Sequence, residues 1–406
     1  MKRRITALLM LLILIPTMLF AVLPSDKEYE TDGSHSFQPY SLMSPRVIGM
    51  GGAGLALNGT FENRLMNPAN TSSVFGLYAP YVSVSVYNLK NNNDNLHDIA
   101  VNNGMLTLYD AAFSFLNTIP GGERNFLSID LGAGFSYQNL SMFSFMNADV
   151  FTVGEGDLSS NLGIDMDAGL ITTLSYSYEF GNDYGISAGL SIGFMMKNIT
   201  ASSTELSGIG VSFVSNIMEE FQYSPEDFGT AIFNALDDIP LSIGTALPIS
   251  IGTRVDFPYG FSLAMALNNI NGSYNMTIKD DSYTIDVPMT LDFGFAWNLD
   301  IGDFWYYLLE PSVAIDLVDM VGMFEEGLGE KGVFIDHLKM GAELNFLTVF
   351  NARLGLDRGY FTFGFGMDMY ALNVDISYGV RPYGPSREGR YLDYVKLRVN
   401  VGFDRP

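Results

Sequence analysis

Cysteine is absent from the 406 residues, histidine occurs three times, and charged residues make up only 16% of the chain. Without cysteine no disulfide can brace the fold, and no thiolate is available as nucleophile or metal ligand. His35, His97 and His337 are scattered, so they offer no metal cluster and no convincing base for a serine nucleophile. A G-x-S-x-G elbow is missing too. Neither an enzyme nor a bound cofactor is therefore expected. Basic residues are scarce, with 21 Lys and Arg against 45 Asp and Glu. That balance excludes nucleic acid as a partner, because binding it needs a basic surface. Beyond the first 21 positions no stretch is long and apolar enough to cross a bilayer as a helix.

The one long apolar run stands at the start. Lys2, Arg3 and Arg4 precede an apolar core from Ala7 to Phe20, and Ala21 is a plausible last residue before cleavage. A secretory signal fits this pattern. A membrane anchor is the competing reading, but the run is short for a span of about 20 residues and Pro16 interrupts it. Three of the basic residues lie in this segment, so the chain beyond it would carry 18 Lys and Arg against 45 acids.

What the chain has in abundance is glycine (42 residues), aromatic side chains (13%) and a rhythm of two. Phe361, Phe363, Phe365, Met367 and Met369 alternate with Thr362, Gly364, Gly366 and Asp368. Leu372, Val374, Ile376, Tyr378 and Val380 alternate with Asn373, Asp375, Ser377 and Gly379, and Val395 to Phe403 does the same around Lys396 and Arg398. A period of two marks strands with one apolar and one polar face. Earlier strands are expected at Leu77–Tyr87, Arg124–Tyr137, Leu140–Val153, Ala168–Phe180, Gly185–Ile199, Thr245–Phe257, Gly260–Ile270 and Met289–Leu299. Asp303–Met320, Ile335–Leu347 and Phe350–Asp357 follow. That parse gives fourteen strands if Asn271–Val287 is a loop and fifteen if Tyr274, Met276 and Ile278 extend a strand; single-chain bacterial barrels use even numbers. It also sorts the connections. Short turns fall at one end, near Gln138–Asn139, Gly181–Tyr184, Pro258–Tyr259, Ile301–Gly302, Thr348–Val349 and Ala371, and the long segments at the other, with only the short Arg358–Gly359 connection among them, as in outer-membrane barrels.

The expected fold is therefore all-β: a transmembrane antiparallel β-barrel of about fourteen strands, with a soluble sandwich as competitor. In lipid every backbone group needs a partner, which closure supplies. Tyr87, Tyr137, Tyr259, Tyr360 and Tyr394 near strand ends suggest an interfacial girdle. The organisation expected is a signal at 1–21, a leader and Gly-rich segment at 22–76, and the barrel over 77–406 with a helical outer loop at about 200–244. In that loop Ser224-Pro225-Glu226-Asp227 reads as a helix start, followed by Phe228, Ile232, Phe233 and Leu236 on one face. This helix either packs on the rim or offers an apolar groove to a ligand. On the polar face Asp130, Glu179, Asp292, Asp316, Glu343, Asp368 and Asp375 accompany Lys339, Arg353, Lys396 and Arg398. These residues read as an ion-pair lattice or as the lining of a passage.

Gly49-Met50-Gly51-Gly52-Ala53-Gly54 matches G-x-G-x-x-G, but Pro45 stands just upstream and strands, not helices, follow. A dinucleotide site needs a βαβ frame, so a compact plug is the better reading. The stretch Arg46 to Ala56, followed by Asn67-Pro68-Ala69, resembles the N-terminal segment of the FadL/PorV-type outer-membrane β-barrel superfamily. Leu338–Glu343, Ala352–Leu356 and Phe361–Gly366 are similar as well. The chain departs from many such barrels by ending Phe403-Asp404-Arg405-Pro406 instead of on an aromatic residue. The resemblance implies a fourteen-stranded barrel whose lumen holds an N-terminal hatch built from Gly49, Gly51, Gly52, Gly54, Asn67, Pro68 and Ala69. Arg46 and Arg64 would either meet a ligand carboxylate or tether the hatch to the wall. In the FadL branch it implies diffusion of hydrophobic molecules such as long-chain fatty acids; in the PorV branch, a role beside other envelope proteins. The partners implied are outer-membrane lipid and a hydrophobic ligand.

Overall fold

The computed structural model describes residues 44–57, 60–70, 75–87, 124–153, 163–180, 185–200, 241–278, 281–285, 287–299, 309–327, 332–369, 371–382 and 391–405. The signal, the leader to residue 43 and the expected groove residues Phe228, Ile232, Phe233 and Leu236 lie outside them.

Seventeen strand segments form one antiparallel sheet that closes on itself. They are β1 (Phe75–Tyr87), β2 (Arg124–Tyr137), β3 (Leu140–Val153), β4 (Gly163–Phe180), β5 (Gly185–Thr200), β6 (Leu241–Ala246), β7 (Ile249–Asp256), β8 (Phe261–Ile270) and β9 (Tyr274–Ile278). Then come β10 (Asp281–Ile285), β11 (Thr290–Asn298), β12 (Leu309–Leu317), β13 (Leu338–Phe346), β14 (Phe350–Asp357), β15 (Tyr360–Met369), β16 (Leu372–Pro382) and β17 (Tyr391–Arg405). β1 pairs with β2 on one side and β17 on the other, which seals the ring. Three pairs of segments are collinear: β6 with β7, both on β5; β8 with β9; and β10 with β11. The seventeen segments are therefore fourteen staves. The first break falls at Pro248, which has no N–H to give to the ladder, although its carbonyl still accepts from Gly193 N at 2.8 Å. The second falls where Asn269 and Asn271 take φ of 60° and 59°, beside a register shift between β7 and β8.

The side chains sort by pleat. Outward positions carry Leu131, Met146, Leu174, Leu190, Ile192, Leu263, Leu354, Phe363, Phe365 and Leu397, all exposed. Inward positions carry Ser83, Asp130, Ser175, Asp292, Asp316, Glu343, Arg353, Asp375, Lys396 and Arg398, all buried. A soluble sheet would bury the first set and hydrate the second. A barrel greasy outside and polar inside is instead the arrangement that lipid requires. No helix among the described residues is long and apolar enough to cross a membrane.

Several expectations need correction. Asn271–Val287 is not a loop: β9 and β10 continue the hairpin, and the count stays at fourteen because they extend existing staves. Among the described residues the loop expected at about Val321–Phe334 is largely helical, and Ile335–His337 is not strand. A first rim helix, Met320–Glu326, and a second, Val333–His337, occupy that span. Asp319 caps the first by accepting from Gly322 N at 3.1 Å. Tyr87 and Tyr394 do not belong to a girdle. Both sit on the inward alternation and face each other inside the barrel, ring centroids 5.3 Å apart. The exposed aromatic residues at the short-turn end include Phe75, Tyr137, Tyr176, Tyr178, Phe180, Phe257 and Tyr259.

Candidate functional site: the lumenal segment and its wall

Residues 44–57 and 60–70 lie inside the ring. A short helix at Pro45–Gly49 touches β14 to β17, while a 3-10 turn at Pro68–Asn70 touches β4, β5 and β7 across the lumen. Between them stands a second helix, Phe61–Met66.

Close approach is possible because the wall is glycine where the segment docks. A Cβ on Gly364 would stand 3.0 Å from Gly49 Cα, and one on Gly49 only 2.8 Å from Gly364 Cα. Cβ atoms on Gly341 and Gly355 would run into the Met50–Gly51 backbone, and on Gly189 and Gly252 into Asn67–Pro68. Gly51 and Gly52 have φ of 66° and 76°, which lets the chain turn sharply against the wall. The nucleotide-like glycines thus serve backbone contact. Gly54 N and Leu55 N also donate to Asp316 Oδ2, at 2.6 and 2.9 Å. Asn67, Pro68 and Ala69 make a local turn: Asn67 Oδ1 accepts from Ala69 N at 3.0 Å, and its Nδ2 donates to Thr253 O at 3.2 Å.

A chain of alternating charges fixes the first half of the segment. Arg46 donates to both oxygens of Glu343, at 2.8 and 2.6 Å. Arg353 donates to Glu343 at 2.5 Å and to Asp375 at 2.6 Å. Arg398 donates to Asp375 and to Glu62 of the second helix, and Ser44 Oγ donates to Glu62 at 2.9 Å. Three guanidiniums and three carboxylates compensate each other, which buried charges require. Burial alone would raise the Glu62 carboxyl, but the guanidiniums of Arg398 and Arg46 outweigh it and hold the group below its ordinary value. Burial opposes the charge on Arg46 as well, yet Glu343 and Glu62 raise it further. Arg46 therefore faces a wall carboxylate. Arg64 donates to Ser136 Oγ at 2.7 Å.

The predicted lumenal charges are brought together only in part. Asp375 and Arg398 meet directly, but Lys396 turns to Asp130 across the seam, at 2.5 Å, where Ser83 and Asn147 also donate. Asp368 accepts from Asn351 at 2.6 Å and stands in no ion pair among the described residues. A cavity of about 190 Å³ lies on the short-turn side of the segment, lined by Arg46, Glu62, Asn345, Arg353, Asp368 and Arg398 among others.

One feature escaped the sequence reading: an apolar cluster on the lumenal side. Phe61 and Leu65 of the second helix pack on Tyr78, Tyr81, Phe143, Phe145, Ile171 and Met195. Phe61 lies 4.8 Å from Tyr78 and 5.5 Å from Phe143 between ring centroids. The signal was a cross-strand one. Gly134 and Gly132 of β2 stand opposite Phe143 and Phe145 of β3, and the rings lie over the missing side chains.

Fold and interior together define a closed transmembrane β-barrel with a filled lumen. No family model and no curated protein matches this chain. Among solved structures it is similar to the Ralstonia pickettii toluene transporter TbuX, with 11% identity and a TM-score of 0.47, over 90% of this chain and 98% of that one. It is similar also to the Pseudomonas putida toluene transporter TodX, with 10% identity and a TM-score of 0.43, over 88% and 96%. A Pseudomonas aeruginosa FadL homologue gives 11% identity and a TM-score of 0.43, over 89% and 98%.

Proposed function

We propose that this chain is an outer-membrane channel for passive uptake of hydrophobic small molecules such as long-chain fatty acids, with Ser44–Asn70 as its hatch. The observation that carries this reading is the lumenal apolar cluster. A barrel passing only water and ions has no use for Phe143, Phe145, Tyr78, Tyr81 and Met195 on its inner face, and an apolar solute has. The hatch is held by hydrogen bonds, ion pairs and close backbone contact, with no disulfide, so it can swing from the wall on its link to β1 without chemistry. Entry from the long-loop end, displacement of Phe61 and Leu65, and movement along the exposed apolar wall make up the route.

Uptake of a labelled fatty acid into liposomes tests this, with the whole protein and with a variant lacking residues 49–69. Transport above the lipid background by either form supports the channel; equal, negligible uptake by both removes it. The dense charge ladder favours a second reading, a barrel that serves other envelope proteins and passes no solute. A stable complex recovered from detergent-solubilised membranes, together with no uptake, would select that reading.

A further inference from the structure

The wall is uneven in height. β1 to β5 hold 13 to 18 residues each, whereas β13 and β14 hold nine and eight, and β12 nine among the described residues. Nine residues rising about 3.3 Å each at a tilt of about 45° reach roughly 21 Å, less than the apolar band of about 25 Å that such barrels present. Pairing between β11 and β12 stops at Phe293 and Leu317. The rest of β11 towards the long-loop end, and β10 beyond it, have no strand on that side among the described residues.

The rim helices stand in this place. Asp319 N donates to Asp292 Oδ1 at 2.7 Å, tying the first helix to β11. Met323 is buried against the wall. Val318 N donates to His337 O at 2.9 Å, which ties the two helices' ends together. Phe324, Phe334 and Ile335 on these helices are 46%, 50% and 48% exposed. The lipid-facing set does not stop where the short strands end: Met340 at the start of β13 and Phe361 at the start of β15 are both exposed. Ile335 comes next to the β14–β15 turn, its Cγ2 only 3.1 Å from where a Cβ on Gly359 would be. The apolar exterior thus runs on from the strand ends onto the helices.

We propose that the two rim helices sit in the lipid leaflet at the long-loop end, with Phe324, Phe334 and Ile335 against acyl chains, and complete the wall on its low side. Their acidic residues, Glu325, Glu326 and Asp336, mark the edge that meets the headgroups and water.

The cysteine-free chain allows single spin labels without background. Phe334→Cys, Ile335→Cys, Leu354→Cys on the outward face of β14, and Glu325→Cys are labelled with a nitroxide in phosphatidylcholine bilayers. Collision rates with dissolved oxygen and with a water-soluble nickel chelate are then compared. The proposal expects labels at 334 and 335 to match 354, with oxygen favoured several-fold over nickel, and 325 to favour nickel. Labels at 334 and 335 that behave like 325 place the helices in water and overturn it. Labels shielded from both reagents indicate a protein cover and overturn it too. A label at 354 that prefers nickel would remove the membrane reading itself, and this proposal with it. Fatty-acid uptake plays no part in the outcome.

Discussion

Glu62 and Arg398 share a buried ion pair although they are 336 positions apart, one ahead of the first strand and one in the middle of the last. Arg398 keeps Asp375 as a second partner, so the pair is one link of a ladder. In Glu62→Gln the segment loses its charged link to β17 while Arg398 remains compensated. A cost of about 1.5–3 kcal/mol to docking is expected, the range for hydrogen bonds to charged groups. Faster proteolysis within residues 44–70, with the barrel core still protected, is the readout.

Acid should release the segment. Glu62 titrates ordinarily at 4.5 and below that inside the barrel. Its contribution to docking is fully present above 4.5 and is lost as pH falls through the depressed value. Arg46, raised further from an already high value, stays charged throughout and adds no slope. Planar-bilayer conductance should rise as pH falls below about 4.5, and Glu62→Gln should reduce that rise.

Bulk on the wall should expel the hatch more cleanly than charge removal. In Gly355→Val the new side chain enters the space of the Met50–Gly51 backbone, which cannot yield as a side-chain tip would. Overpacking costs typically about 1–3 kcal/mol. The expected result is a protein that still folds in detergent but has protease-sensitive residues 44–57 and a raised conductance.

Phe61→Ala tests the apolar cluster. Truncating a buried Phe costs roughly 3–5 kcal/mol where the site cannot collapse, and here it leaves room between Tyr78 and Phe143. Under the channel reading, uptake of a labelled fatty acid should rise. A fall in hatch protection with unchanged, negligible uptake would speak for the partner-barrel reading.

Charge on the lipid face should hinder insertion. Phe363→Arg replaces an exposed outward side chain midway along the wall. Folding into liposomes should become less favourable by about 2–4 kcal/mol, the range for Arg near a bilayer midplane. Thr362→Arg, one residue away on the inward face, should instead clash with the docked segment.

The pleat made most of the wall legible. Once Phe361 to Met369 alternates, its partner faces follow; the even strand number of such barrels gives fourteen staves, and the segregation of turns agrees. Where chemistry interrupts the pleat, periodicity failed. Ile335 continues an apolar rhythm, yet His337 ends a helical turn there, its carbonyl accepting from Val318 N. Tyr87 and Tyr394 sit near strand ends, as girdle residues do, but face inward. Of the charges expected in the lumen, Asp130, Asp292, Asp316, Lys339, Glu343, Arg353, Asp375, Lys396 and Arg398 are buried, whereas Glu179 is exposed at the end of β4. Their pairing was not legible, because Lys396 with Asp130 and Arg398 with Glu62 depend on the curvature that brings the two ends of the chain together.

The seam between β1 and β17 also sets an order of events. Glu62 emerges during synthesis long before Arg398 exists, so the stopper has no final mooring until the closing stave arrives. An unfinished or truncated cylinder is therefore an unlatched one. Contacts this distant in sequence also form slowly, so the gap at the seam must be sheltered from neighbouring edges until the last strand clicks home.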